Sequence, residues 1–280
     1  DSMGTKAEKY SETTIIKVKR KIDSKTAIAK YISFIESEES DKFHNYKSQV
    51  NLFMQEPKIL KKLGKHDYII ELYDSYIDYF QEPPELLFVM EKAEGIDLNK
   101  YMKDYSPITD KTFYLFMQKF IEAVSHIHNN GIVHRDLSSN NIFIKNGPKG
   151  EIEDLKIIDF GMAYLRGQGI RQKAGTAFYA PPESFTKISK RPKSTYDMYS
   201  VGIIMYQLLS GGKIPYQSTL SSIADESSYR SLKRDDIPVA IENFIKKCLK
   251  YKTKDRPYSI VQIKSEIYKG LRRLVKDGSY

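Results

Sequence analysis

The chain has 280 residues, enough for one large domain or two joined ones. It is 40% hydrophobic and 29% charged, a balance that excludes a disordered or fibrous chain. No apolar run approaches the roughly 20 residues of a membrane-spanning helix.

The opening Asp1-Ser2-Met3-Gly4 lacks the basic and apolar regions of a secretory signal, although native targeting segments can lie outside this sequence; an intracellular setting, cytoplasmic or nuclear, is the expectation. The single cysteine, Cys248, excludes an intramolecular disulfide and suits a reducing compartment. The net charge of +9 comes from scattered basic residues without an aromatic–basic module, so no nucleic-acid partner is expected. Nothing in the sequence bears on oligomeric state.

In chain order, residues 13–22 are β-branched and alternating. The turn Asp23-Ser24-Lys25 and a second run over 26–34 complete a predicted β-hairpin. The acidic stretch 36–41 reads as a loop. A helical pattern over 46–63 stops before Gly64. Strands are predicted over 69–79 and 85–91, joined by Gln81-Glu82-Pro83-Pro84. Beyond Gly95, Phe113, Phe116, Met117, Phe120, Ile121, Val124 and Ile127 recur at helical spacing, with Asp110 as the expected cap and Asn130-Gly131 as the stop. Short strands over 142–145 and 155–158 flank the turn 146–150. Residues 198–209 are almost continuously apolar and predict a buried central helix, and 239–251 and 259–275 are amphipathic. The pattern is α+β, with a strand-rich lobe over 1–92, a mainly helical lobe over 93–280 and a hinge within 91–95.

Two motifs carry the chemistry. His134-Arg135-Asp136-Leu137-Ser138-Ser139-Asn140-Asn141 lies between the long helix and a strand, and Asp159-Phe160-Gly161 closes the next strand. Alone, each aspartate reads as a turn residue. Together, in this order and spacing, they resemble the eukaryotic protein-kinase superfamily over nearly the whole chain, from about residue 13 to 275.

The resemblance implies a bilobal kinase fold that uses ATP with Mg²⁺, or Mn²⁺, to phosphorylate a protein substrate. Phosphoryl transfer is mostly positioning and charge neutralisation. Asp136 would accept the proton of the substrate hydroxyl. Asn141 and Asp159 would bring metal ligands from opposite ends of a short strand pair. Lys30, in Ala27-Ile28-Ala29-Lys30, would grip the α- and β-phosphates and pair with Glu56. Ile15, Ile28 and Met90 would border the base, the backbone of Glu91 and Ala93 would meet the adenine, Asp97 would reach the ribose, and Phe143 would lie beneath the base.

Three further stretches speak for a protein substrate by the same resemblance. Gly175-Thr176-Ala177-Phe178-Tyr179-Ala180-Pro181-Pro182-Glu183 looks like a substrate-docking loop of the serine/threonine type. Asp197 opens the helix expected to prop the catalytic loop. Arg256, in Lys254-Asp255-Arg256-Pro257, is the expected partner of Glu183, in a pair that can be bidentate. Ile70-Glu71-Leu72-Tyr73-Asp74, Ile96-Asp97-Leu98-Asn99 and the stretch 179–183 resemble the dual-specificity spindle-checkpoint kinases.

Four departures qualify the match. The glycine-rich phosphate loop is missing, since its positions fall near Glu8, Tyr10 and Thr13. Ser138 stands where serine/threonine kinases carry a lysine. Pro57 follows Glu56 and predicts a kink or a late helix start, either of which would draw Glu56 away from Lys30. No Ser or Thr lies between Gly161 and Gly175, so the usual phosphorylation position, near Gln172, cannot be used. The loop is expected to be held by Arg166, Arg171 or Lys173 instead. The expected function is an active protein serine/threonine kinase; the alternative is a pseudokinase scaffold with little or no turnover.

Overall fold

A computed structural model of the protein describes residues 11–21, 23–34, 50–80, 85–106, 108–167, 175–186, 191–216 and 228–276. The expectations for Glu8, Tyr10, 36–41, 46–49, 81–84, Arg171, Gln172 and Lys173 lie outside the described residues. The described elements are of the α+β class. The chain divides into two units, 1–65 with 70–92 and 66–69 with 93–280.

The first unit carries an antiparallel sheet in the order β1-β2-β4-β3, with β1 Ser11–Lys19, β2 Thr26–Phe34, β3 Leu72–Asp78 and β4 Glu85–Glu91. The predicted hairpin forms. Its turn puts Ser24 at φ 57°, and Arg20 pairs with Asp23 across it. On β4, Leu86, Phe88 and Met90 are buried, while Leu87 and Val89 are half-buried, the period of two that faces one side of a sheet to a core. Ile32, Leu86, Val50 and Met54 form one apolar cluster, with Phe53 and Ile77 packed against it.

Residues 50–53 are helical, Met54 makes a turn, and α1 runs Gln55–Leu63. Pro57 therefore sits in the first turn of α1, where its missing N–H breaks no bond within the helix. The helical run is thus broken at Met54 and resumes at Gln55, and the break does not draw Glu56 away from Lys30. Gly64, at φ 67°, closes α1 by donating to Leu60 O at 3.0 Å.

The second unit is built on α2 Leu98–Tyr105, α3 Asp110–Asn129, α4 Glu183–Thr186, α5 Ser194–Ser210, α6 Val239–Cys248 and α7 Lys264–Lys276. A three-stranded sheet has the order β5-β7-β8, with β5 Ile96–Asp97, β7 Ile142–Asn146 and β8 Ile152–Ile157. A second pair joins β6 Ile132–Val133 to β9 Tyr164–Leu165. Gly95 makes the approach to β7 possible. At φ 92°, a Cβ there would fall 1.9 Å from Ile144 O.

Several expected boundaries move. The cap of α3 is Thr109, whose Oγ1 accepts from Thr112 N at 3.1 Å, and Asp110 is the first helical residue. The central helix begins at Ser194 rather than 198, because its first turn is polar. The strand expected over 155–158 starts at Ile152, and the strand expected over 69–79 narrows to Leu72–Asp78. The helix expected over 239–251 ends at Cys248, and a 3-10 turn, Ile260–Ile263, precedes α7.

Candidate active site

The loop after β6 is held from beneath by one carboxylate. Asp197, in the first turn of α5, is 0% exposed and accepts three hydrogen bonds. Oδ1 takes Arg135 N at 2.8 Å, and Oδ2 takes His134 N at 2.8 Å and His128 Nε2 at 2.8 Å. Burial acts to raise the Asp197 pKa, but these hydrogen bonds and the nearby histidines outweigh it and hold the carboxyl below its usual range. The same grip fixes Arg135 in the left-handed region, at φ 66°. Arg135 Nη1 donates to Met162 O at 3.2 Å, tying this loop to the segment after Asp159.

His134 is buried against the Phe160 ring, with centroids 4.7 Å apart. Asp136 N donates to its Nδ1 at 3.3 Å, so Nε2 carries the proton and donates to Ile158 O at 3.3 Å. Burial lowers the His134 pKa, consistent with this neutral tautomer.

Asp136 is held through both oxygens. Oδ1 accepts from Thr176 N at 2.8 Å and Thr176 Oγ1 at 2.7 Å, and Oδ2 accepts from Asn141 Nδ2 at 3.1 Å. Asn141 Nδ2 also donates to Asp136 O at 2.9 Å, which turns the amide so that Oδ1 points away from Asp136. Asn141 leads into β7 and Asp159 follows β8. These strands pair antiparallel, and Ile158 N donates to Asn141 O at 2.9 Å. Asn141 and Asp159 therefore flank the same end of the ladder, not opposite ends as expected. Asp159, at φ 60°, accepts from Gly161 N at 3.2 Å. An amide oxygen and a carboxylate side by side suit a hard divalent cation such as magnesium.

In the first unit, Lys30 Nζ meets Glu56 Oε1 at 3.0 Å and Oε2 at 2.8 Å. Lys30 lies on β2 opposite Ile15 and Phe88, and Ile28 lies opposite Met90. Met90 is buried, Ile28 is half-buried and Ile15 is 61% exposed, on the open side of the sheet. Glu91 N donates to Glu71 O at 2.8 Å, and its Oε2 accepts from Glu71 N at 3.2 Å. In the second unit Ala93 is half-buried, and Asp97 pairs with Phe143 in the β5–β7 register. Asp97 also caps α2, its Oδ1 accepting from Lys100 N at 2.8 Å. Lys30, Glu56, Ile28, Met90 and Glu91 thus share one sheet and helix, and Asp136, Asn141 and Asp159 share one loop cluster.

Residues 11–268 match the protein kinase domain family. The chain belongs to the protein kinase family. It is similar to serine/threonine-protein kinase ULK1 of Homo sapiens, 37% identical over 181 residues that cover 62% of this chain and 16% of that protein. It is 30% identical to the probable serine/threonine-protein kinase zyg-1 of Caenorhabditis elegans over 59% of this chain and 22% of that protein. Against serine/threonine-protein kinase tousled-like 2 of Xenopus tropicalis the identity is 33% over 227 residues, 72% of this chain and 31% of that protein. All three relatives bear the name of serine/threonine-protein kinases. The chain spans between 16% and 31% of their lengths.

In this kinase domain the stretch 175–183 is anchored twice. Arg256 Nη1 and Nη2 meet Glu183 Oε1 and Oε2, each at 2.8 Å, in a fork-to-fork pair. The guanidinium also donates to Lys250 O, Thr195 O and Tyr251 O. The second anchor was not anticipated from the sequence. Tyr179 OH bonds Ser139 Oγ at 2.6 Å and donates to Gln207 Oε1 at 2.7 Å, and its carbonyl accepts from Ser200 Oγ at 2.9 Å. His128 was missed for the same reason: its partner Asp197 lies 69 positions away, beyond any local pattern. Ser138, at the position where serine/threonine kinases carry a lysine, is 1% exposed, and its Oγ has no hydrogen-bond partner among the described residues.

Proposed function

We propose that this domain transfers the γ-phosphoryl group of Mg-ATP to serine and threonine hydroxyls of protein substrates inside cells. The observation that carries this reading is the two-sided fixing of Asp136 by Asn141 and Thr176. A carboxylate aimed in this way serves as the acceptor of a hydroxyl proton, a role that contributes about 10²–10⁴-fold. Bound Mg-ATP supplies the electrophilic phosphoryl group and the cation that neutralises it. Asn141 Oδ1 and the Asp159 carboxylate would hold that cation. Lys30, kept extended by Glu56, would orient the α- and β-phosphates. Met90, Ile15, Ile28 and Phe143 would enclose the base against the backbone of Glu91 and Ala93, with Asp97 toward the ribose.

Activity here needs no phosphate on the loop after Asp159. Residues 162–174 contain no Ser or Thr, and Arg135 already donates to a backbone carbonyl. Intact-mass analysis of active protein should show no stoichiometric phosphate on 162–174; a phosphorylated Tyr164 required for turnover would refute this.

A second reading is favoured by Ser138 and by the lack of glycine over 8–13. Loss of one charge-stabilising donor beside the reacting phosphate costs about 3 kcal/mol of transition-state stabilisation. A pseudokinase scaffold would then bind nucleotide without turnover. Phosphotransfer to a broad peptide panel with Mg-ATP and Mn-ATP separates the two. Label transfer that disappears in Asp136→Asn supports the enzyme. A metal-dependent thermal shift with ATP, unaccompanied by any transfer, supports the scaffold.

A further inference from the structure

The segment His66–Ile69 belongs to the second unit, although the chain on both sides of it belongs to the first. It lies along β8. Ile157 N donates to Tyr68 O at 2.9 Å, Ile69 bridges Ile157, and Lys156 Nζ reaches Ile69 O at 3.4 Å. Lys119 Nζ stands 4.9 Å over the Tyr68 ring. A further contact is a pair of imidazoles. The rings of His66 and of His126, on α3, have centroids 4.5 Å apart and planes inclined at 36°.

Each ring uses one nitrogen as an acceptor. His66 Nδ1 takes the Tyr68 N–H at 3.1 Å. His126 Nε2 faces Asn130 Nδ2 at 3.4 Å, and that amide nitrogen is identified by its donation to His126 O at 2.9 Å. A proton on either acceptor removes its bond, and protons on both rings set two cations in contact.

We propose that the His66–His126 pair is a proton-sensitive clamp, so that acidification weakens the hold of residues 66–69 on β8 and α3. The charged groups around His66 do not cancel this response. Asp67 and Glu122 favour the imidazolium, while His126 and Lys156 oppose it. Burial, the largest effect, joins His126 in lowering the His66 pKa from 6.5. A base whose pKa is lower when docked than when released stabilises the docked state above the released value. That contribution fades as pH falls from 6.5 toward the docked value. β8 ends two residues before Asp159, so the clamp acts on the strand that leads into it.

The test is amide hydrogen exchange on the full chain between about pH 7.5 and 5.5, read by NMR at Tyr68, Ile69 and Ile157 and corrected for the intrinsic chemical rate. Wild-type protection should fall on acidification, by up to about tenfold per pH unit for one proton taken up on release. In His66→Asn, the amide oxygen can accept the Tyr68 N–H without titrating, and the corrected protection should be flat with pH. His126→Phe keeps the ring contact and removes the second charge, and should give a shallower dependence than wild type. Imidazole titration should also place the His66 pKa below 6.5. Flat wild-type protection, a wild-type slope in both variants, or a His66 pKa at or above 6.5 overturns the proposal. None of these readouts depends on kinase turnover.

Discussion

Asp197 gathers two backbone amides and an imidazole onto one carboxylate with no access to water. Asp197→Asn keeps the shape but exchanges two acceptor oxygens for one, leaving a buried donor unpaired. It should destabilise the domain by about 2–4 kcal/mol in urea unfolding and release Arg135 from its left-handed conformation. Because the Asp197 pKa is lowered on folding, its stabilisation is present above the unfolded value near 3.8 and lost as pH falls through the folded one. Arg256→Lys keeps the charge but not the fork on Glu183 or the three carbonyl contacts, and should cost at least about 2 kcal/mol by the same assay. At this scale the motif residues were legible, because Asp136, Asn141 and Asp159 lie in short contiguous patterns. Their supports were not: His128, Gln207 and Ser139 act through contacts that no local spacing encodes.

Among the elements, α3 offers the sharpest comparison. Thr109 caps it through Oγ1, while Asp110 meets Arg273 at 3.1 Å and only complements the helix dipole. Thr109→Ala should therefore lower stability by about 1 kcal/mol, more than Asp110→Ala, and equal effects would show that the cap contributes nothing. Gly270 on α7 allows close packing on α3, since a Cβ there would meet the Tyr114 ring at 2.2 Å. Gly270→Ala should cost about 1–3 kcal/mol in thermal or urea unfolding despite its better helix propensity. The long helices and the first hairpin were readable from apolar period. The cap was misplaced by one residue because Thr and Asp both suit it. β5, β6 and β9, two residues each, are too short to carry a period. Pro57 was read as a kink or a late start that would displace Glu56; the helix is instead broken three residues earlier, at Met54, and Glu56 keeps its place because a proline in the first turn displaces no helical bond.

For the whole molecule, the two-lobed α+β organisation followed from the change of pattern near Gly95, and the family match over 11–268 agrees with it. The return of His66–Ile69 to the second unit was not legible, since four residues between a helix and a strand carry no sign of which core they join. The account stands on Lys30, Asp136, Asn141 and Asp159 serving one nucleotide and its metal. The most direct measurement is transfer of labelled γ-phosphate from Mg-ATP to a serine/threonine peptide library by wild type and Asp136→Asn, with ATP binding followed in parallel. Wild type should turn over, and the variant should bind ATP as well but transfer about 10²-fold less or worse. Equal transfer by both proteins, or none by a wild type saturated with Mg-ATP, would contradict the account.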